Sequence, residues 1–193
     1  MIQALASIAT AFGLSAATGL NAYIPLLIVA LVARFTDWLV LAPPYDVLTS
    51  PWVIGVLIVL AAIEFLADKI PGVDHLNDIV GTFVRPAAGA LLFAATTGAV
   101  QDMSPVLAVI AGLLVTGTVH AAKASFRPLV TASTAGVGNP VVSTAEDITA
   151  TIVSFGAILL PFLFAVILIL ALAFVGLLLF TWRRRRASRA SSA

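Results

Sequence analysis

The chain has 193 residues, 61% of them hydrophobic and only 10% charged, with a mean hydropathy of +1.13. A soluble domain carries about 25% charged residues, so this composition excludes a water-soluble globule. With no cysteine there is neither a disulfide framework nor a thiolate metal site, and the net charge is +1. That charge is unevenly spread, because Arg183, Arg184, Arg185, Arg186 and Arg189 leave residues 1–182 at −4.

Met1 to Ala33 contains no charged residue, and its length exceeds the roughly 20 residues of a single span. It has no basic segment at its start and is expected to be mature structure rather than a signal peptide. The interior GLSAATGLNAYIP (Gly13 to Pro25) holds two glycines, an asparagine and a proline. Two readings stay open: a break, giving a short helix and then a longer one or a pair of half-helices, or one long tilted helix packed through small residues. Asp37 to Pro51 is expected to be a loop broken at Pro43-Pro44, with Trp38, Tyr45 and Trp52 as interfacial aromatics.

A second span is expected over Pro51 to Ala67, with Glu64 and Asp68 four apart on one face near its end. Lys69 to Asp78 reads as a turn-rich polar link. A third span follows over Ile79 to Val100, and Arg85-Pro86 suggests that its helix begins near Arg85. QDMSP (Gln101 to Pro105) reads as a turn, and a fourth span runs from Val106 to Phe126.

Leu129 to Asp147 is too polar for a lipid-facing helix and too apolar for an ordinary loop. It is expected to be a re-entrant or broken element shielded by protein. Ser143 and Glu146 have the spacing of a capping box before the next apolar run. Ile148 to Trp182 is long enough to be divided at Pro161. The arginines that follow Trp182 give the positive-inside signal, which puts the C-terminus in the cytoplasm; they read as an anchor rather than a nucleic-acid-binding tail.

On the fourth span His120, Lys123 and Arg127 fall at i, i+3 and i+7 and share an arc with Thr116. Such a cationic stripe suits an anion, an anionic lipid head group or buried carboxylates. The available counter-charges are Glu64, Asp68, Asp74, Asp78, Glu146 and Asp147. Buried charges at bilayer depth usually mark a pathway, although a closed set of ion pairs would also explain them. His75 and His120 stand near acids, but no catalytic or metal-binding motif accompanies them, so no catalytic residue, metal or cofactor is expected. TGLN at 18–21 and GVGN at 136–139, with Arg85-Pro86 and Arg127-Pro128, hint at an inverted repeat.

GLNAYIP, the spacing E-x-x-x-D-K-I-P-x-x-D from Glu64 to Asp74, RPAAGAL from Arg85, H-x-x-K-x-x-x-R from His120 and NPVVSTAED from Asn139 occur together here. In this combination the chain resembles a bacterial family of small integral membrane proteins, the domain of unknown function 4126, over roughly residues 5–175. The resemblance implies an inner-membrane location and one such domain, and it assigns no activity or site residues.

The expectation is therefore an all-α polytopic bundle of five to six membrane segments, at least one broken or re-entrant. Residues 1–182 form a single transmembrane domain and 183–193 a basic cytoplasmic tail. The expected function is a small transporter or channel in the bilayer, binding no nucleic acid and forming a homo-oligomer. Its pathway would be lined by Thr116, His120, Lys123, Arg127, Asn139, Glu64, Asp68, Arg85, Glu146 and Asp147. The alternative is a non-transporting scaffold or lipid-binding partner held by salt bridges.

Overall fold

The computed structural model describes residues 2–70, 73–97, 103–161, 163, 166 and 170. The side chains of Asp74 and His75, the end of the apolar run before Trp182 and the basic tail lie outside the described residues. Among the described residues there are six α-helices and no strand. They are α1 (Ile2–Leu20), α2 (Tyr23–Phe35), α3 (Pro51–Ala67), α4 (Val73–Thr97), α5 (Pro105–Thr134) and α6 (Asn139–Leu159).

Local chemistry accounts for the boundaries. Pro51, Pro105 and Pro140 stand in the first turns of α3, α5 and α6, where the missing N–H is one the helix could not use. The α1–α2 break is at Asn21, whose Oδ1 accepts from the backbone N–H groups of Tyr23 and Ile24, both at 3.0 Å, and so starts α2. The break thus exists, but the longer helix precedes the shorter. A single 3-10 turn, Tyr45–Thr49, interrupts the expected 37–51 loop before α3.

Three sequence expectations are overturned. The helix of the third span starts at Val73 rather than Arg85, and Pro86 lies inside it; the supposed link before it is largely helical. A membrane helix tolerates this proline because other groups can satisfy the carbonyl it leaves free. Leu129 to Asp147 is broken, as one of the two readings had it, but it is not an element of its own: α5 continues through Pro128 to Thr134, a turn follows and α6 begins at Asn139. Ala135 and Gly136 make that turn with φ of 50° and 85°. Ser143 consequently lies one turn inside α6 and caps nothing.

α1 is the centre of the bundle and packs on α4, α5 and α6. Most of its second half is buried, including Ala11, Leu14, Ser15, Ala17 and Thr18. Small residues allow close backbone approach. A Cβ on Gly13 would stand 2.5 Å from the Cβ of Ala157, and one on Gly112 would stand 2.6 Å from the Ala90 Cα. Side-chain contacts fix the directions: α1 is antiparallel to α4 (Phe12 to Phe93, Ser15 to Gly89) and to α6 (Thr10 to Ala157, Asn21 just past α1 to Asp147), and parallel to α5 (Ser15 to Thr116, Leu20 to Lys123). The ends of α1, α3 and α5 therefore gather with the starts of α2, α4 and α6 at one end of the bundle.

Large apolar side chains such as Trp52, Phe83, Leu114 and Ile152 are exposed, as they are when the solvent is lipid. Four helical stretches, Ile2–Leu20, Leu76–Thr97, Pro105–Thr134 and Asn139–Leu159, are long and apolar enough to cross a membrane, while α2 and α3 are shorter.

Candidate functional site

The ionisable residues collect where those helix ends meet. From α4, Arg85 donates through Nη2 to Glu64 Oε1 of α3 at 3.1 Å and through Nη1 to Asp78 Oδ1 at 3.3 Å. Arg85 is fully buried and twelve residues from each end of α4, about 18 Å by helical rise. Helical side chains lean toward the N-terminus, and this guanidinium lies back over Gly81, where a Cβ would stand 2.9 Å from its Cζ. Asp78 is two turns before Arg85 on the same face.

From α5, Arg127 Nη2 donates to Glu146 Oε2 of α6 at 2.8 Å and to Asp68 Oδ2, just past α3, at 3.3 Å. Its Nη1 is 3.5 Å from Asp78 Oδ2, an ion-pair distance without hydrogen-bond geometry. Lys123 pairs with Glu146 at 3.0 Å, and Lys69 with Asp147 at 3.4 Å. Asn77 at 2.6 Å and Ser143 at 3.2 Å also donate to Asp68. Burial alone would raise the Asp68 carboxyl; Lys123, the Asn77 hydrogen bond and Arg127 outweigh it and hold the group below its ordinary value.

This network is built into the α1–α2 break. Lys123 Nζ donates to the Leu20 carbonyl at 2.7 Å, at the C-terminal end of α1, where helix-dipole and lone-pair demands favour a cation. Glu64 Oε2 accepts from the Ala22 N–H at 3.2 Å, at the start of α2, where they favour an anion. Asn21 Nδ2 donates to Asp147 Oδ1 at 2.9 Å. The interrupted backbone thus draws partners from α3, α5 and α6, which answers the need to satisfy every polar group away from water.

Deeper in the bundle is a hydroxyl cluster. Thr116 and Thr18 lie 2.6 and 2.7 Å from the Ser15 carbonyl and 3.0 Å from each other, and Ser15 donates to the Gly89 carbonyl at 2.9 Å. Thr116 and Thr18 have two hydrogens for three contacts, so the cluster has alternative donor patterns. Between it and the charges is His120, with Nδ1 3.0 Å from Arg85 Nη1 and Nε2 3.2 Å from Thr82 Oγ1.

The expected α5 stripe faces inward: Thr116, His120, Lys123 and Arg127 are all buried. Glu64, Asp68, Arg85 and Glu146 join His120, Lys123 and Arg127 in one network, and Asp147 stands beside it, paired with Lys69 and Asn21. Thr116 belongs instead to the hydroxyl cluster, and Asn139 lies at the start of α6, accepting from Thr131 at 3.1 Å. Asn21, Lys69, Asn77, Thr82 and Ser143 were missed as site residues, and Asp78, expected only as an available counter-charge, joins them. The seven-residue spacing from Asp78 to Arg85 was a readable signal, whereas Asn21 needed the tertiary fold.

Two grooves reach the network from the lipid-facing surface. One of about 480 Å³ between α5 and α6 has Lys123 and Glu146 among Val119, Phe126 and Val142. Another of about 270 Å³ between α3 and α4 has Glu64 and Asn77 among Leu60, Ile63 and Val80. Among the described residues no cluster of His, Asp and Glu suits a metal ion.

Apolar helices closing over an internal ionic network define a helical membrane protein. Its family is shown as well: residues 8–182 match the model of the domain of unknown function DUF4126, and the chain belongs to that family. No curated protein and no solved structure matches it.

Proposed function

We propose that this protein is a small membrane transporter or channel whose pathway passes the α1–α2 break and is closed by the ionic network. The observation that carries the reading is the pairing of the two broken helix ends with Lys123 and Glu64 on neighbouring helices. Helix ends whose unpaired backbone groups meet charged side chains inside a membrane protein are a recurring way to build an ion or solute site. Holding helices together needs no such network, because apolar replacements of buried ion pairs are often neutral or stabilising.

Sequence alone favoured an anion or anionic head group. The pairings favour a small cation, since each described network cation already has a carboxylate and the carboxylates are in excess. The pathway residues are His120, Lys123, Arg127, Arg85, Glu64, Asp68, Glu146 and Asp147, with Thr116 deeper and Asn139 at the α5–α6 turn.

The positive-inside rule supports an orientation in a bacterial inner membrane. If the apolar run after Pro161 forms one more span, the terminal arginines lie on the same side as the start of α6. Lys69, Lys123 and Arg127 then lie toward the cytoplasm. The small size also fits a homo-oligomer.

The alternative is a non-transporting scaffold or lipid-binding partner, and it is favoured by the ion pairing of all five carboxylates. Flux of cations, protons and anions through purified protein in liposomes separates the readings. Selective flux lost in a folded Lys123→Ala/Arg127→Ala variant supports transport. No flux from folded wild type, with unfolding of that variant, supports the scaffold.

A further inference from the structure

We infer, building on the transport reading, that the ion is a proton and that His120 Nδ1 is where it binds, displacing Arg85. The hydrogen-bond directions fix the resting state of the ring. A guanidinium nitrogen only donates, so Arg85 Nη1, 3.0 Å away, requires a bare lone pair on Nδ1. The ring hydrogen is therefore on Nε2 and goes to Thr82 Oγ1 at 3.2 Å, while the Thr82 hydroxyl donates to the Asp78 carbonyl at 2.9 Å. Only Nδ1 can accept a proton. Its arrival turns an acceptor into a donor and sets two cations face to face, so the Arg85–His120 contact must open.

Arg85 has places to go. Its Nη2 stays on Glu64 and its Nη1 also reaches Asp78. Its buried Nε has no hydrogen-bond partner among the described residues. Released from the ring, the guanidinium can tighten on these carboxylates, and the wall of the α1–α2 break moves with Glu64, which holds the start of α2.

Charge balance favours one added proton. Among the described residues, the network and the Lys69–Asp147 pair beside it have five carboxylates (Glu64, Asp68, Asp78, Glu146 and Asp147) and four cations (Lys69, Arg85, Lys123 and Arg127). The charged groups around the ring are Arg85 and Asp78 from α4, Lys123 on α5 and Glu146 from α6. Arg127 on α5 is held by Asp68 and Glu146, and Glu64 of α3 acts through Arg85. α1, Ile2–Leu20, carries no ionisable side chain. Asp78 has the most exposed carboxylate of the five, with its side chain 21% exposed, and it gives the proton a way in.

Nitrogen-15 NMR of a His75→Gln protein in lipid nanodiscs tests this, because His120 is then the only histidine. The expected spectrum has the Nε2–H tautomer when neutral and a single protonation, on Nδ1, as the pH falls. Proton flux into liposomes should follow the same titration and fall at least tenfold in His120→Gln. The opposite tautomer, or a ring that takes no proton while flux of some ion continues, overturns the proton site and leaves transport standing. A ring that titrates as expected with no flux of any ion overturns the transport reading, and the inference with it.

Discussion

Arg85 is where a single substitution should matter most. Removing it leaves Glu64 buried with only the Ala22 N–H and takes one cation from Asp78. Breaking a buried pair by deleting one partner costs about 3–5 kcal/mol, because the remaining charge is stranded. Arg85→Ala should therefore lower unfolding stability in detergent by about that much, and Glu64→Gln/Arg85→Ala should cost less than the sum of the single changes. A double-mutant cycle on thermal or denaturant unfolding checks this, and simple additivity would mean the pair is not coupled. At this scale the sequence was informative about which residues turn inward: the i, i+3, i+7 spacing on α5 and the Glu64–Asp68 pair held. It could not say which cation meets which acid, since Arg85 to Glu64 and Arg127 to Glu146 are contacts between helices.

At the scale of an element, the Arg-Pro pairs explain the main misreading. Proline strongly opposes a helix interior in water, so Arg85-Pro86 reads as a helix start, and the fourth span is expected to end at Phe126, just before Arg127-Pro128. In the bundle both prolines lie inside long helices, α4 and α5, and both preceding arginines are buried. Close packing of those helices is the stronger determinant. A Cβ on Gly89 would collide with Thr116 Oγ1 and stand 2.8 Å from Thr18 Oγ1. Gly89→Ala should thus destabilise by about 1–3 kcal/mol in the same unfolding assay, the usual cost of overpacking. At the α5–α6 turn the sign reverses. Ala135 ends α5 with φ at 50°, a conformation that glycine adopts at less cost, so Ala135→Gly should gain about 0.5–1 kcal/mol. An unchanged or lower stability would argue against a left-handed residue there. Composition in 129–147 suggested a re-entrant element because Ser, Thr and Gly make the stretch polar. Helix periodicity explains the pattern better: Asn139, Ser143 and Asp147 turn inward at intervals of four, and exposed Val141 and Ile148 turn outward.

For the whole molecule, the alternation of helix directions makes a topology testable. The turn containing Val137 is at the charged end of the bundle, and the 3-10 turn containing Val47 is at the other; both side chains are exposed. Because the chain has no cysteine, single cysteines can be placed without background. Val137→Cys should be shielded in intact cells from a membrane-impermeant thiol reagent, and Val47→Cys should be labelled. The reverse pattern would put Lys69, Lys123 and Arg127 outside and remove the positive-inside argument. The all-helical class was legible from hydropathy, whereas the break near Asn21 was one of the readings that small polar residues left open. The occupation of that break by Lys123 and Glu64 was not, because it depends on α5 and α3 meeting where α1 ends.

The most direct measurement is ion flux in proteoliposomes by wild type and Arg85→Gln, each shown to be folded. The account predicts selective flux in the wild type, with protons as the ion carried. In the variant the link between the break, Asp78 and His120 is lost, and flux should be lost or uncoupled from pH. Equal flux in both proteins, or none in a folded wild type under any cation or proton gradient, would contradict a transport pathway gated by the ionic network.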